Sequence, residues 1–485
     1  MSLDEIKSLI YKGNHSKAHK LIKNFKKKNK LSLKQKILLS QYYRDMNLLE
    51  ESLKVLGPED LIYHDGEDLK LFFELNIQRG RSLEYLNCKY YANSIFNTLE
   101  NLANEKDYNL IDEFESWTYI KAWNLFKLQK FADSFNLVQQ SILKSNNPKS
   151  LFSLYFTKAA IEFEIDKMDE AVKSMSIASD FALKAGLDSK RTSALNRIAH
   201  YYLSSGLKDE GKDVLDQIKL KDEVSSIEKD LFNLNFGIYH YLNNNNKEAI
   251  SYFSQSKFAQ YIYIKIASYY YLDSISTITI SEKIALLNHP TYDNYSFRAG
   301  RFYDSNKDNK IPKHFITNEN NFLDSWILYD GKIKAINYQN FMKSNTDHSN
   351  IDLVSGTIGS NQISENIWSI LYYIICGGSV GTYKWLLIDK VYHNTYKHLE
   401  QAENKLKQAI ITIKKLGFNI IIKNNCVFWK YDPKLSLIIP MHFRDTGPER
   451  KIKAICPDFT IEDIMKHYSV KKSTAAKRFK DWKIQ

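Results

Sequence analysis

The sequence predicts a mainly α protein, in which a long helical repeat array is followed by a small β-containing connector and compact helical modules. Three observations carry that prediction. The chain of 485 residues holds only 17 Gly and 8 Pro, few of the residues that stop helices and make turns. Hydrophobic residues form 44% and charged residues 26%, the balance of a globular chain with a sizeable core. Small residues recur at near-constant intervals through the N-terminal half, as stacked helix pairs require. At roughly 100–200 residues per domain, several domains are expected.

Charge separates these domains. The chain has 68 Lys+Arg against 56 Asp+Glu, a formal +12. Residues 353–485 hold 21 basic and 11 acidic groups, so this segment carries +10 and the first 352 residues only +2. A mixed surface suits a scaffold, whereas a concentrated positive field attracts a polyanion. The four cysteines, Cys88, Cys376, Cys426 and Cys456, are far apart. That spacing points away from a zinc ribbon or disulfide framework and towards a reducing, cytoplasmic setting. The opening MSLDEIKSLI is charged from its fourth residue and lacks the apolar core of a secretory signal. No run approaches the ~18 apolar residues of a membrane span, so no membrane partner is expected.

Over residues 1–290 a helix, a short polar turn and a second helix opened by a small residue recur. LFKLQKFADSF, EFEIDKMDEAV, HYYLSSGLKDEG and HYLNNNNKEA show the pattern. Short residues fall at Ala18, Ser52, Asn93, Ser134, Ala171, Gly211 and Ala249, at intervals of 34 to 41 residues. In four copies a second one precedes by twelve positions, at Ala122, Ala159, Ala199 and Gly237. This stretch resembles the tetratricopeptide-repeat (TPR) family, most clearly over 115–260, and an irregular helical bundle is the alternative. The resemblance implies a TPR-like α-solenoid whose groove receives a protein or peptide partner. Tyr261, Tyr263 and Tyr269-Tyr270-Tyr271 are read as packing between repeats rather than a stacking surface.

The connector spans 291–350. Trp326 to Asn337 reads as two strands around Asp330-Gly331, and Ile351 to Ile358 as a further strand. Residues 351–440 then show three helical patterns. Ser364 is the expected N-cap of the first, Thr382–Val391 is the second, and the third runs from about Tyr396 to Leu416. Two strand-like runs, Phe418–Ile422 and Cys426–Lys430, follow. This order resembles the winged-helix output domain of OmpR-type response regulators, which implies that the third helix enters the DNA major groove and the strand pair touches the backbone. The residues opposite the helix's apolar row are Lys397, Gln401, Asn404, Lys405 and Gln408, and Lys423 lies in the wing. Gln and Asn can pair with adenine, and Lys with phosphate or guanine. Gly377–Gly381 is read as an interhelix turn, because it lacks the ending of a phosphate-binding loop.

Residues 441–485 supply the last module. Thr460-Ile461-Glu462-Asp463 has the form of a capping box, and YSVKKSTAAKRFKDW resembles the recognition half of bacterial helix-turn-helix regulators. Lys471, Lys472, Ser473, Thr474, Lys477, Arg478 and Lys480 are its candidate DNA contacts, the hydroxyls at a helix start that favours anions. His15/His19 and His393/His398 come with no metal-ligand partner in spacing, and no nucleophile elbow, Walker motif or dinucleotide fingerprint occurs. The expectation is a non-enzymatic regulator without a cofactor, with double-stranded DNA and a protein or peptide as partners and self-association left open. The alternative is a TPR scaffold whose C-terminal modules dock proteins.

Overall fold

The computed structural model describes residues 3–288 apart from 12–13, 29, 47, 58–62, 65–67, 115, 166, 219–225 and 260–261. Beyond these it describes 325–329, 332–336, 338 and 341, then 351–440 apart from 359–360, 394–398, 424 and 431–435, and finally 460–462, 465, 472, 476 and 479. The protein is mainly α, with a few short strands. It divides into two compact units, residues 1–260 with 388–403, and residues 261–387 with 404–485. Helices over 262–288, which the repeat pattern extended to 290 includes, group with the second unit.

The first unit is a tandem array of helix pairs, as a helical solenoid requires. Its helices are α1 (Leu3–Tyr11), α2 (His15–Lys28), α3 (Leu33–Asp45), α4 (Leu49–Leu56), α5 (Leu69–Tyr85) and α6 (Lys89–Glu105), followed by the short α7 (Leu110–Glu113). Then come α8 (Trp117–Lys127), α9 (Phe131–Lys144), α10 (Pro148–Glu164), α11 (Met168–Lys184), α12 (Asp188–Ser204), α13 (Lys208–Asp216), α14 (Ser226–Leu242) and α15 (Asn246–Ser256).

One turn is used repeatedly inside these pairs. Asn87, Gln129, Gly206 and Asn244 adopt positive φ of 63°, 63°, 80° and 56°. The next amide then donates five residues back: Cys88 to Leu83 at 2.9 Å, Lys130 to Leu125 at 2.9 Å, Leu207 to Tyr202 at 3.0 Å and Asn245 to His240 at 2.9 Å. This left-handed stop satisfies a carbonyl at the helix end and reverses the chain within three residues. Asn and Gly tolerate the conformation, which explains the polar turn in the repeat.

Each reversal brings two small residues together twelve positions apart. Ser40 and Ser52 share a hydroxyl–hydroxyl bond of 2.8 Å, and Ser134 Oγ donates to the Ala122 carbonyl at 2.7 Å. Gly80 faces the Phe96 ring so closely that an added Cβ would overlap it, and a Cβ at Gly237 would lie 2.5 Å from Phe253 Cε1. Ala159 and Ala171 are fully buried partners in the same relation. Two details differ from the sequence reading. The inward residue near Asn93 is Ala92, which is 0% exposed, and Ser40 and Gly80 extend the first-helix series beyond the four copies read from sequence. Helical phase decides the first point, because a one-residue shift rotates a side chain by about 100°.

The second unit begins with α16 (Ile262–Ile275) and α17 (Ile280–Asn288). Tyr269, Tyr270 and Tyr271 are buried there, as inter-helix packing demands. Strands β1 (Ser325–Tyr329), β2 (Lys332–Ile336), β3 (Ile351–Asp352), β4 (Thr357–Ile358), β5 (Asn361–Gln362) and β9 (Leu437–Pro440) form a six-stranded sheet of order β2-β1-β9-β3-β4-β5. Tyr329 pairs with Lys332, so β1 and β2 form the expected hairpin; Asp330 and Gly331 themselves lie outside the described residues. Ile351–Ile358, read as one strand, is instead a tight hairpin. The buried Asp352 carboxylate accepts from the Val354 amide at 2.9 Å, the Ser355 amide at 3.1 Å and the Tyr338 hydroxyl at 2.8 Å, and Gly356 turns at φ 70°.

Next along the chain come α18 (Glu365–Cys376), β6 (Thr382–Tyr383), α19 (Lys384–Tyr392), α20 (Leu399–Lys415), β7 (Ile420–Lys423) and β8 (Cys426–Trp429), of which residues 388–403 group with the first unit. Strands β6, β7 and β8 make a second sheet of order β6-β8-β7. Ser364 takes an extended N-cap conformation before α18 but makes no side-chain capping bond. Thr382 and Tyr383 pair with Val427 and Cys426, so the second helix starts at Lys384 rather than at Thr382. The Thr382 hydroxyl donates to the Tyr373 carbonyl at 2.5 Å, which holds the strand against the end of α18. The Gly377–Gly381 segment contains a 3-10 turn, Gly378–Val380, and a Cβ at Gly381 would lie 2.5 Å from Phe428 Cε1. Close packing therefore accounts for that glycine.

Candidate functional site

Helix α20 is strongly two-faced. Ala402, Leu406, Ala409, Ile410 and Ile413 are buried, while Gln401, Asn404, Lys405 and Gln408 are exposed. Residues spaced by three, four and seven share a helix face, so the exposed set forms one polar row. Its inventory supplies amide donors and acceptors together with a cation. Lys423 is exposed at the end of β7, and Lys472 is also exposed. Lys397, Lys471, Ser473, Thr474, Lys477, Arg478 and Lys480 lie outside the described residues.

Other groups condition this region. Lys384 lies over the Trp385 ring at 4.4 Å from its centroid, a cation–π contact at the start of α19. Burial pushes the Cys426 thiol up, with Lys265 opposing, so this cysteine is no reactive thiolate. Ile411, Leu416, Ile421 and Ile422 are exposed by 43–55%, on α20, directly after it and on β7. The charge pattern gave no sign of these apolar side chains.

Segment 388–403 belongs to the first unit. There the Asp389 carboxylate accepts from the Tyr90 amide at 3.0 Å and the Tyr91 amide at 3.1 Å, at the start of α6. These amides lack an intrahelical acceptor, and the positive helix end favours an anion. Burial nonetheless dominates and pushes the Asp389 carboxyl up to about 7, with the two amides, Lys89 and Lys390 opposing. The His393 ring stacks on Tyr90 at 4.3 Å. Its histidine pattern in the sequence showed only the absence of a metal motif, not this packing role.

A second polar concentration, which sequence reading missed, lies in a cleft of about 350 Å³ between α3, α5 and the residues preceding α8. Gln41, Arg44, Glu74, Gln78, Arg81 and Ser116 are among its lining residues. Arg44, only 8% exposed, donates to Gln78 Oε1 at 2.8 Å and lies 6.0 Å from the Tyr85 ring centroid. Arg81 lies 5.8 Å from that of Tyr119. Desolvation opposes ionisation of the Tyr85 phenol, but Arg81, Lys190, Arg44 and Lys127 outweigh it and hold its pKa below the ordinary range. The cations come from four helices. The sequence carries no shared signal for them, since Arg44, Arg81 and Lys127 stand at different offsets from Ser40, Gly80 and Ala122.

No family model matches the chain, and no curated protein matches it. Among solved structures, BtubC (BKLC) from P. vanneervenii is similar with a TM-score of 0.34 and 13% identity. That match covers 49% of this chain and 92% of the other. At such a score the likeness carries neither fold nor function.

Proposed function

We propose that the protein is a DNA-binding transcriptional regulator, in which a TPR-like solenoid senses a protein or peptide and the basic C-terminal modules bind double-stranded DNA. The observation that carries this reading is the exposed row Gln401, Asn404, Lys405 and Gln408 on a helix whose opposite face is buried. The order α18-β6-α19-α20-β7-β8, with sheet order β6-β8-β7, supports a winged-helix reading, in which α20 is the recognition helix and β7-β8 the wing. The +10 on residues 353–485 supports a polyanionic partner. In the terminal module, Lys471, Lys472, Lys477, Arg478 and Lys480 would meet phosphate or bases, and Ser473 and Thr474 phosphate at a helix start.

The test is a titration of labelled duplex DNA with the full chain at about 0.05 and 0.2 M salt, where phosphate contacts predict steep weakening. A Lys472→Glu, Lys477→Glu, Arg478→Glu variant should lose binding while keeping its helicity. Absence of binding at the lower salt, or binding indifferent to salt, would refute the proposal. A second reading, protein docking by the same modules, is favoured by the exposed Ile411, Leu416, Ile421 and Ile422.

A further inference from the structure

We infer that residues 389–393 latch the end of α19 onto the start of α6 and thereby position α20, so that the helical array governs how the candidate recognition helix presents its polar row. The inference deepens the DNA-binding reading and rests on it. Every contact that makes the latch lies within the first unit, because residues 388–403 belong to it.

The latch begins with a residue out of place in its own helix. Asp389 stands in the last turn of α19, where the negative helix end disfavours a carboxylate. The start of α6 supplies the opposite field and lacks a cap of its own, since its N-cap residue Cys88 makes no side-chain cap hydrogen bond. Tyr90 and Tyr91 are the second and third residues of α6, whose amides an N-cap side chain ordinarily serves. Both donate to Asp389 Oδ1, at 3.0 and 3.1 Å, and the Tyr90 amide also reaches Oδ2 at 3.2 Å. A residue 299 positions later thus provides the cap that α6 lacks locally.

Two further contacts fix the same segment. The Tyr91 hydroxyl donates to the carbonyl of Tyr392, the last residue of α19, at 3.3 Å. The His393 ring stacks on Tyr90 with centroids 4.3 Å apart and planes 16° from parallel, and its Nδ1 donates to the Asp389 carbonyl at 2.6 Å. That bond ties the stacked ring to the residue that carries the carboxylate. Asp389 is 0% exposed, Tyr392 3% and Tyr91 5%, so water does not compete for these bonds.

The connection to α20 is short. Six residues, 393–398, separate Tyr392 from Leu399, and residues 399–403 group with the same unit. Helix α20 runs unbroken from Leu399 to Lys415, so fixing its first turn orients the rest. Its polar row straddles the end of that group, with Gln401 before it and Asn404, Lys405 and Gln408 after it, and all four are exposed while the latch is closed. The closed state is the one that presents the row. Opening the latch adds freedom that complex formation must then remove, which weakens DNA binding.

Hydrogen exchange of the full chain, read by mass spectrometry, tests the latch without any ligand. In Asp389→Ala with His393→Ala, amides of residues 388–393 and 399–403 should exchange about tenfold or more faster, while those of α10, α11 and α12 keep the parent's rates. Asp389→Asn retains a side-chain oxygen for the two amides and should exchange as the parent does. Duplex DNA titrated on the same preparations should bind the double variant about tenfold more weakly and Asp389→Asn within about twofold of the parent. If the double variant loses its helicity, His393→Ala alone, which removes the stacked ring and leaves the carboxylate, makes the same comparison. Unchanged exchange at 399–403, acceleration shared equally by α10, α11 and α12, or full DNA affinity with the latch open would overturn the inference. Should the parent bind no duplex, the DNA reading fails by itself, and exchange at 399–403 still decides whether the latch positions α20.

Discussion

Gly80 and Asp389 show how single residues are set by contacts far away in sequence. Replacing Gly80 by Ala improves intrinsic helix propensity by about 1 kcal/mol. The added methyl would overlap the Phe96 ring, which is 0% exposed and cannot swing away. Overpacking costs about 1–3 kcal/mol, so Gly80→Ala should net-destabilise the first unit, read as a lower urea midpoint. Asp389 makes a pH prediction. Its carboxyl sits at about 7 in the folded chain against 3.8 ordinarily, so the folded state binds a proton more tightly. That contribution to stability is present below pH 3.8 and lost as pH rises to about 7. Asp389→Asn keeps an oxygen for the Tyr90 and Tyr91 amides without a charge, and should gain roughly 1–3 kcal/mol over the parent at pH 8. The gain should vanish near pH 4. His200, lowered to about 4 mainly by burial, works in the opposite sense below pH 6.5. The difference between variant and parent is therefore the readout, and an equal gain at both pH values would exclude a titrating carboxyl.

At the scale of elements, the helix pairs were legible because a turn residue with positive φ and two small residues recur locally. Gly80→Ala and Gly237→Ala act in separate pairs, against Phe96 and Phe253. Sites without shared partners add to within about 0.5 kcal/mol, so the double variant should lose the sum of the single losses. The amphipathic pattern likewise announced α20, its buried row and its exposed one. If Lys405 and Lys423 each meet a phosphate, changing either to Ala should reduce the slope of log K against log salt by about one. Unchanged slopes would remove these residues from the interface. The short elements were less legible. Ile351–Ile358 has the length and bounding isoleucines of one strand, but the Asp352 carboxylate binds two following amides and turns the chain within it. Thr382–Tyr383 reads as helix until Val427 and Cys426 are there to pair with it.

For the whole molecule, charge is segregated by position: +10 lies on residues 353–485 and +2 on the rest. Among the described residues no helix is long and apolar enough to cross a membrane. The sequence by itself determined the helical class, the paired repeat and the location of that charge, because each is written in spacings of a few residues or in a plain count. Tertiary structure alone decided what depends on distant partners. Leu437–Pro440 enters a sheet between β1 and β3, and its strand neighbours come from segments more than eighty positions earlier. Asp389 meets the start of α6 across 299 positions. Arg44 reaches Gln78 and Ser82 across 34 and 38 positions. Such contacts leave no period along the chain, since the energy that selects them, burial and charge pairing, depends on proximity in space rather than on separation in sequence.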